Sequence, residues 1–157
     1  MNSTEEVQRM SKDKRLSPSD PNSHALPEEA KVNHMDLKWT VDFENQRIKG
    51  SIILSVQKVD PSASVLTLDA RHLDIQQVKD DKTGQELEFS LGEESKGTPF
   101  HGSKLQVQLP STENESKIKI AYSTTEGCTA FDWLTPEQTA GKSHPYMFSQ
   151  CQAIHAR

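Results

Sequence analysis

Residues 37–56 read LKWTVDFENQRIKGSIILSV, and their pattern is the basis of the fold prediction. In each half of it, apolar residues alternate with polar ones, which is the period of a half-buried strand. The first half belongs to a strand that begins at His34, and the second half predicts another strand. Residues 44–46 read Glu-Asn-Gln and predict a turn, so we expect a hairpin. Gly50 indicates a bulge or a close approach of another backbone.

The same alternation continues along the chain as far as Tyr122. Five further short runs carry it: 65–68, 73–78, 87–91, 105–109 and 118–122. Turn-forming residues separate these runs at a spacing of roughly ten residues, which is typical of all-β domains. Short connections favour antiparallel pairing, because parallel pairing needs a crossover of about a dozen residues or more. The sequence therefore predicts an all-β fold, an antiparallel saddle-like sheet or sandwich.

Residues 1–33 differ from the rest of the chain. They are rich in charged residues, Ser, Asn and Pro, with only scattered apolar positions. Such a segment cannot bury enough apolar surface to offset the entropy lost on ordering it. We therefore expect a disordered N-terminal arm over residues 1–33 and a single β domain over residues 34–157.

Composition excludes several classes of partner. The net charge is −5 without a basic stripe, which argues against nucleic acid as a partner. No apolar run approaches the roughly 18 residues of a membrane span, so we expect no membrane partner. The N-terminus lacks the apolar region of a secretory signal. We therefore expect a cytoplasmic protein in which the two cysteines, Cys128 and Cys151, are free thiols.

The sequence contains no recognisable catalytic motif. His-Glu-x-x-His, Gly-x-Ser-x-Gly and the Walker A pattern are all absent. Two cysteines without a third thiol nearby, and histidines without metal-ligand spacing, do not form a zinc site. We expect no catalytic residue, no metal ligand and no cofactor in this chain.

A candidate binding segment lies near the C-terminal end. If the segment forms a strand, Gln150 and Gln152 share one face and Cys151 points into the core. Two primary amides on one face offer donors and acceptors to the amino end of a peptide. The alternative is that both side chains are merely solvated, which is the common case for exposed Gln. The candidate substrate-binding residues are Gln150, Cys151, Gln152 and Ala153.

The stretch that contains these residues resembles a known family. Residues 133–142 read WLTPEQTAGK, residues 144–146 read HPY, and residues 148–154 read FSQCQAI. They resemble the N-terminal domain of the M1 zinc aminopeptidases, in the branch of leukotriene A-4 hydrolase and aminopeptidase B. Residues 41–43 and 68–71 agree with it more weakly. The resemblance covers residues 34–157, and its specific part is the last 25 of the 157 residues.

The resemblance implies a saddle-like β module that packs over a catalytic domain. It implies that residues 150–153 line the substrate cleft, that Gln152 holds the free amino end of a peptide, and that Gln150 shapes the same pocket. Zinc and the general base come from the catalytic domain, which this sequence lacks. The partners implied are therefore a peptide's N-terminal end and that missing domain. The parent enzyme acts on peptides and, in some members, on a lipid epoxide.

Two interpretations remain open. In the first, the chain is a C-terminally truncated piece of such an enzyme and is inactive alone. In the second, it is a stand-alone, non-catalytic β-sandwich binding module. The pattern stops at Arg157 in mid-segment, which favours the first interpretation. It also leads us to expect an exposed apolar patch around Trp133, Tyr146 and Phe148, where the missing domain packs.

Overall fold

A computed structural model of the chain describes residues 20, 22–93, 102–110, 113–152 and 155–156. Within these residues the strands pair antiparallel throughout, which confirms the all-β prediction. A short 3-10 turn spans Pro136–Gln138. The strands are β1 Ala30–Asp42, β2 Arg47–Lys58, β3 Val65–Ala70, β4 Leu73–Asp80, β5 Phe89–Leu91, β6 Ser103–Gln108, β7 Glu115–Thr124, β8 Phe131–Leu134 and β9 Tyr146–Ser149.

The strands form three sheets. The large sheet has the order β1-β2-β7-β4, and the small sheet has the order β3-β6-β5. Strands β8 and β9 pair only with each other and are called the terminal hairpin. The predicted hairpin of β1 and β2 is confirmed, with Trp39 opposite Gly50. Gly50 lies at a close approach rather than a bulge, because a Cβ there would collide with the Lys38 carbonyl oxygen.

The hydrophobic core lies between the large and the small sheet. Strand alternation places every second side chain of β2, β7 and β4 on one face, and this face meets the small sheet. Ile118 and Val107, from the two sheets, are fully buried. The buried apolar side chains of this core are Ala30, Leu54, Val56, Leu66, Ala70, Val78, Leu105, Val107, Leu109, Ile118 and Ile120.

The expected arm is wrong for residues 22–33, which belong to the folded domain. The Ser23 hydroxyl donates a hydrogen bond to Asp69 over 2.6 Å, and the His24 backbone N–H donates to the same carboxylate over 2.7 Å. Both residues are buried, and β1 begins at Ala30 rather than at His34. Composition missed this segment because two long-range hydrogen bonds to the Asp69 carboxylate and the burial of a single small apolar side chain, that of Ala30, hold it in place. Residues 1–19 and 21 of the expected arm lie outside the described residues.

Candidate functional site

The terminal hairpin contains the segment that resembles the M1 family. Strands β8 and β9 have four residues each, with Phe131 opposite Ser149 and Trp133 opposite Met147. Sequence periodicity missed both strands, because four residues contain too few alternations to separate them from a loop. The aromatic and β-forming residues of 131–134 and 146–149, with Pro and Gly between them, are the signal that could have indicated the hairpin.

Hydrogen bonds fix the loop between β8 and β9. The Gln138 side-chain oxygen accepts from the Thr135 backbone N–H over 2.8 Å, and the Gln138 N–H donates to the Thr135 carbonyl over 3.0 Å. The Thr139 hydroxyl lies 2.8 Å from the Pro136 carbonyl oxygen. A hydrogen bond with Thr135 lowers the pKa of the Glu137 carboxyl below its ordinary value. The loop is therefore held by its own side chains.

This loop borders an open cleft of about 490 Å³. Its lining includes Leu134, Gln138, Gly141, His144 and Tyr146, without a carboxylate or a lysine. An amide, an imidazole and a phenol can bind a ligand through hydrogen bonds and ring contacts. The cleft therefore offers hydrogen-bonding groups and an aromatic ring to a ligand.

Aromatic contacts hold the terminal hairpin against the large sheet. The rings of Phe43 and Trp133 meet edge to face, with centroids 5.7 Å apart at 89°. Trp39 and Phe131 meet in the same way at 6.4 Å and 87°. Each such pair contributes about 0.5–1.5 kcal/mol beyond the area that it buries. The hairpin is therefore attached to the end of β1.

The segment that follows β9 is anchored to residues 129–130. The Gln150 backbone N–H donates to the Ala130 carbonyl over 3.0 Å, and the Cys151 sulfur lies 4.0 Å from the same oxygen. The His155 Nδ1 lies 2.8 Å from the Thr129 hydroxyl. Strand β9 ends at Ser149, so the condition under which Gln150 and Gln152 would share one strand face is not met. Cys151 is half-buried beside Ala130 and is not a core residue.

The two glutamines lie on this anchored segment with exposed side chains. Neither side-chain amide hydrogen-bonds to another described residue, so both are available to a ligand. Neither of them lines the cleft beside the β8–β9 loop. Ala153, the fourth candidate, lies outside the described residues. The structure thus places Gln150, Cys151 and Gln152 side by side at the end of the hairpin, away from that cleft.

Metal ligands are not gathered in the described part of the chain. Within it, no three or more His, Cys, Asp or Glu side chains lie close enough to hold a metal ion. A catalytic zinc needs three protein ligands, so these residues do not fit one. Cys128 and Cys151 are both free and half-buried. The described residues also include no helix that is long and apolar enough to cross a membrane.

Exposed apolar side chains occur on both β1 and β9. Met35, Leu37 and Trp39 on β1 are 57%, 51% and 48% exposed, and Tyr146 is 56% exposed. The sequence predicted β1 as half-buried, and this is wrong because the small sheet covers the core face of β2, β7 and β4 but leaves most of β1 open. We call the exposed side chains of Met35, Leu37, Trp39, Val41, Tyr146 and Phe148 the apolar surface. Trp133 is half-buried because it packs on Phe43.

Comparison with known proteins gives a consistent result. Residues 31–157 match the peptidase M1 N-terminal domain. Leucine aminopeptidase 2 of Yarrowia lipolytica is 44% identical over 139 residues, which are 88% of this chain and 21% of that protein. Leukotriene A-4 hydrolase of Xenopus laevis is 39% identical over 142 residues, covering 88% and 22%.

Solved structures agree with the sequence relatives. The structure of yeast LTA4 hydrolase in complex with bestatin superposes with a TM-score of 0.78 and 32% identity, over 94% of this chain and 23% of that one. Native yeast LTA4 hydrolase gives the same TM-score of 0.78 and covers 92% of this chain. The chain therefore spans between a fifth and a quarter of the length of these relatives.

Proposed function

The chain belongs to the family of peptidase M1 N-terminal domains, and from this premise we propose that it is the substrate-cleft domain of a zinc aminopeptidase that resembles leukotriene A-4 hydrolase. The parent enzyme hydrolyses the N-terminal residues of peptides, and a lipid epoxide is a second substrate class. The observation that supports this proposal is the match over residues 31–157 to proteins of which the chain covers only 21–23%.

The proposal assigns binding to this chain and chemistry to the rest of the parent. The described residues do not fit a zinc ion, so the metal and its general base belong to the catalytic domain. This domain is also the partner that packs on Tyr146 and Phe148, the β9 part of the apolar surface. We propose a cytoplasmic location, which the two free thiols support.

Within this division, Gln150 and Gln152 contact the amino end of the peptide. An amide oxygen accepts a hydrogen bond from an ammonium group, and an amide NH₂ donates one to the first peptide carbonyl. The hydrogen bonds from Gln150 to Ala130 and between Thr129 and His155 hold the segment in place, so little backbone conformational entropy is lost on binding. We propose that Cys151 and Ala153 contribute backbone contacts to the peptide.

The first experiment reads the transcript beyond the Arg157 codon. An in-frame Gly-x-Met-Glu-Asn segment followed by His-Glu-x-x-His supports the parent enzyme. A stop codon there contradicts it and leaves the stand-alone binding module. Purified 1–157 protein, in either case, is expected to contain no zinc and to release no product from an amino-acid arylamide.

The second experiment measures the amides in the full-length parent. Gln152→Ala is expected to raise KM for a peptide arylamide about tenfold, because a hydrogen bond to a charged group contributes about 1.5 kcal/mol or more. Gln150→Ala should change the preference among first residues. Gln108→Ala is the matched control, since Gln108 is an exposed glutamine on β6. An unchanged KM in both variants would contradict the proposed contact between the two glutamine amides and the peptide.

A further inference from the structure

Strand β1 is an open edge of the large sheet. It pairs with β2 on one side, and among the described residues no other strand pairs with its outer side. Its register shifts between Val32 and His34, so the regular part runs from His34 to Asp42. A regular edge strand of this length presents a row of unpaired backbone N–H and C=O groups that can pair with another strand.

The other edge of the large sheet is less open. Strand β4 has its register shift in the middle, between Ile75 and Gln77. At its end Lys79 bridges to Glu86, and the Leu87 N–H donates to the Val78 carbonyl over 3.0 Å. A bulge and a folded-back segment both block further pairing. Edge-to-edge association is therefore directed to β1.

The side chains of β1 are arranged symmetrically about Leu37. Met35 and Trp39 stand two residues to either side of it on the apolar face, and all three are about half exposed. Asp36 and Lys38 stand one residue to either side on the polar face, both exposed and of opposite charge. The strand is therefore complementary to a second copy of itself that runs in the opposite direction.

From this symmetry we propose that β1 pairs antiparallel with β1 of a second copy of the chain, about a two-fold axis at Leu37. This register places Leu37 opposite Leu37 and Met35 opposite Trp39. Because the Trp39 indole is directed over β2 toward Tyr122, the apolar contact across the axis is mainly that of the two Leu37 side chains. It also places Asp36 opposite Lys38 twice, once on each side of the axis. Directly opposed apolar pairs and opposite-charge pairs each stabilise an antiparallel pairing. An isologous contact of this kind closes as a dimer.

The neighbouring registers are less favourable because they oppose like charges or exchange the two faces of the strand. A shift of two residues in one direction places Lys38 opposite Lys38, and in the other direction it places Asp36 opposite Asp36. Like charges directly opposite one another are destabilising. A shift of one residue turns the apolar row of the second copy to the polar face of the first. Charge and face together therefore select the register centred on Leu37.

The expected dimer is weak. The pairing covers His34 to Thr40 in each copy, and an interface of this size is below the roughly 1,200 Å² of a standard stable complex. We expect a dissociation constant of about 0.1 mM, which corresponds to a transient contact. The inference depends on the sheet order and on the β1 side chains, and it does not depend on the proposed function.

The test uses the 157-residue chain in sedimentation velocity over a range of concentrations. Asp36→Lys and Lys38→Asp, each alone, are expected to weaken dimerisation at least about tenfold, because each creates two like-charge pairs. An equimolar mixture of the two variants restores dimers, since every opposed pair is then of opposite charge. Glu115→Lys and Lys117→Glu are matched controls on β7, an interior strand, and should dimerise like the unchanged chain.

Amide hydrogen exchange completes the test. The N–H groups of residues 34–40 should become more protected as the protein concentration rises. A chain that stays monomeric to about 1 mM, ten times the expected dissociation constant, overturns the proposal. A dimer whose dissociation constant is the same in both charge variants as in the unchanged chain also overturns it. Protection of β1 that is independent of concentration overturns it too, because another segment of the same chain then occupies the edge.

Discussion

The Trp39 indole N–H donates a hydrogen bond to the Tyr122 hydroxyl over 2.7 Å, across the strand that separates them. In the large sheet Trp39 is opposite Gly50, and Gly50 is opposite Tyr122. Because Gly50 has no side chain, the indole can lie over β2 and reach β7. Trp39 also contacts Phe131 of the terminal hairpin. One row of residues thus connects the edge strand, the sheet interior and the candidate site.

Gly50→Ala is expected to destabilise the domain by about 1–3 kcal/mol, the usual cost of overpacking. The new Cβ collides with the Lys38 carbonyl oxygen and lies 2.9 Å from Trp39 Cδ1, so β1 or the indole must move. Urea denaturation measures the change. Gly141→Ala is the control, because its nearest contact is Ser143 Oγ at an ordinary 3.5 Å. Equal stability of the two variants would contradict the role given to Gly50.

The Tyr122 hydroxyl should make the stability of the domain depend on pH. Burial raises the pKa of Tyr122 above its ordinary value of 10.0. The unfolded chain therefore loses this proton first, and the contribution of Tyr122 to stability is lost as the pH rises above about 10. At neutral pH, Tyr122→Phe should cost about 0.5–1.5 kcal/mol, because Trp39 loses its acceptor.

The measurement for Tyr122 is the free energy of unfolding at a series of pH values. The gap between the unchanged chain and Tyr122→Phe should narrow as the pH rises above 10.0. Tyr146→Phe is the control, since Tyr146 is exposed on β9 and absent from this row. A gap that stays constant to high pH would show that Tyr122 titrates alike in both states.

The strands of the two main sheets could be predicted from the sequence because each contains several alternations. Residues 47–58 and 115–124 show the two-residue period clearly, and both form strands close to the expected bounds. The terminal hairpin could not be predicted in this way, since its strands have four residues each. Its position depends on the ring contacts of Phe43 with Trp133, which join distant parts of the chain.

The geometry of the candidate site could be predicted only in part, because it too depends on contacts between distant parts of the chain. The choice of Gln150 and Gln152 assumed strand geometry, but β9 ends one residue before Gln150. Periodicity also predicts that a face is apolar without indicating what covers it. Leu37 and Trp39 fit a buried strand in pattern, yet they are exposed, because the covering sheet lies over other strands. Long-range packing decides such cases, and single-sequence patterns do not contain it.

The β1–β2 turn is expected to make the domain sensitive to acid. Lys49 donates to Asp42 over 2.6 Å, and the Asn45 backbone N–H donates to it over 3.0 Å. These hydrogen bonds, that of Lys49 first, hold the pKa of Asp42 well below its ordinary value of 3.8. A lowered folded-state pKa stabilises the fold above the unfolded value, and this stability is lost as the pH falls further.

Asp42→Asn should therefore be less stable than the unchanged chain at neutral pH, and the two should converge as the pH falls below 3.8. Thermal denaturation at several pH values measures the difference. Lys49→Met removes one partner but keeps Asn45, so it should show a smaller effect of the same sign. Parallel curves for Asp42→Asn and the unchanged chain at all pH values would contradict this account.

The core position Ile118 should be far more sensitive to truncation than its neighbour on the opposite face of the sheet. Ile118 is fully buried between the sheets, and Ile118→Ala is expected to cost about 2–5 kcal/mol. Ile53 lies on the other face of β2 and is only half-buried, so Ile53→Ala should cost less. Urea denaturation compares them, and an equal loss would mean that the core does not lie between the two sheets.

The apolar surface should bind a hydrophobic dye. Tyr146 and Phe148 are 56% and 40% exposed at the end of the terminal hairpin. Exposed apolar patches of this kind mark places where another surface packs. Tyr146→Ser with Phe148→Ser is expected to reduce dye fluorescence with little change in stability, because neither side chain belongs to the core. Phe89→Ser is the control: Phe89 is 39% exposed on β5 of the small sheet, away from the hairpin. If it reduces dye binding as much as the hairpin variant, the bound surface is not the one defined here.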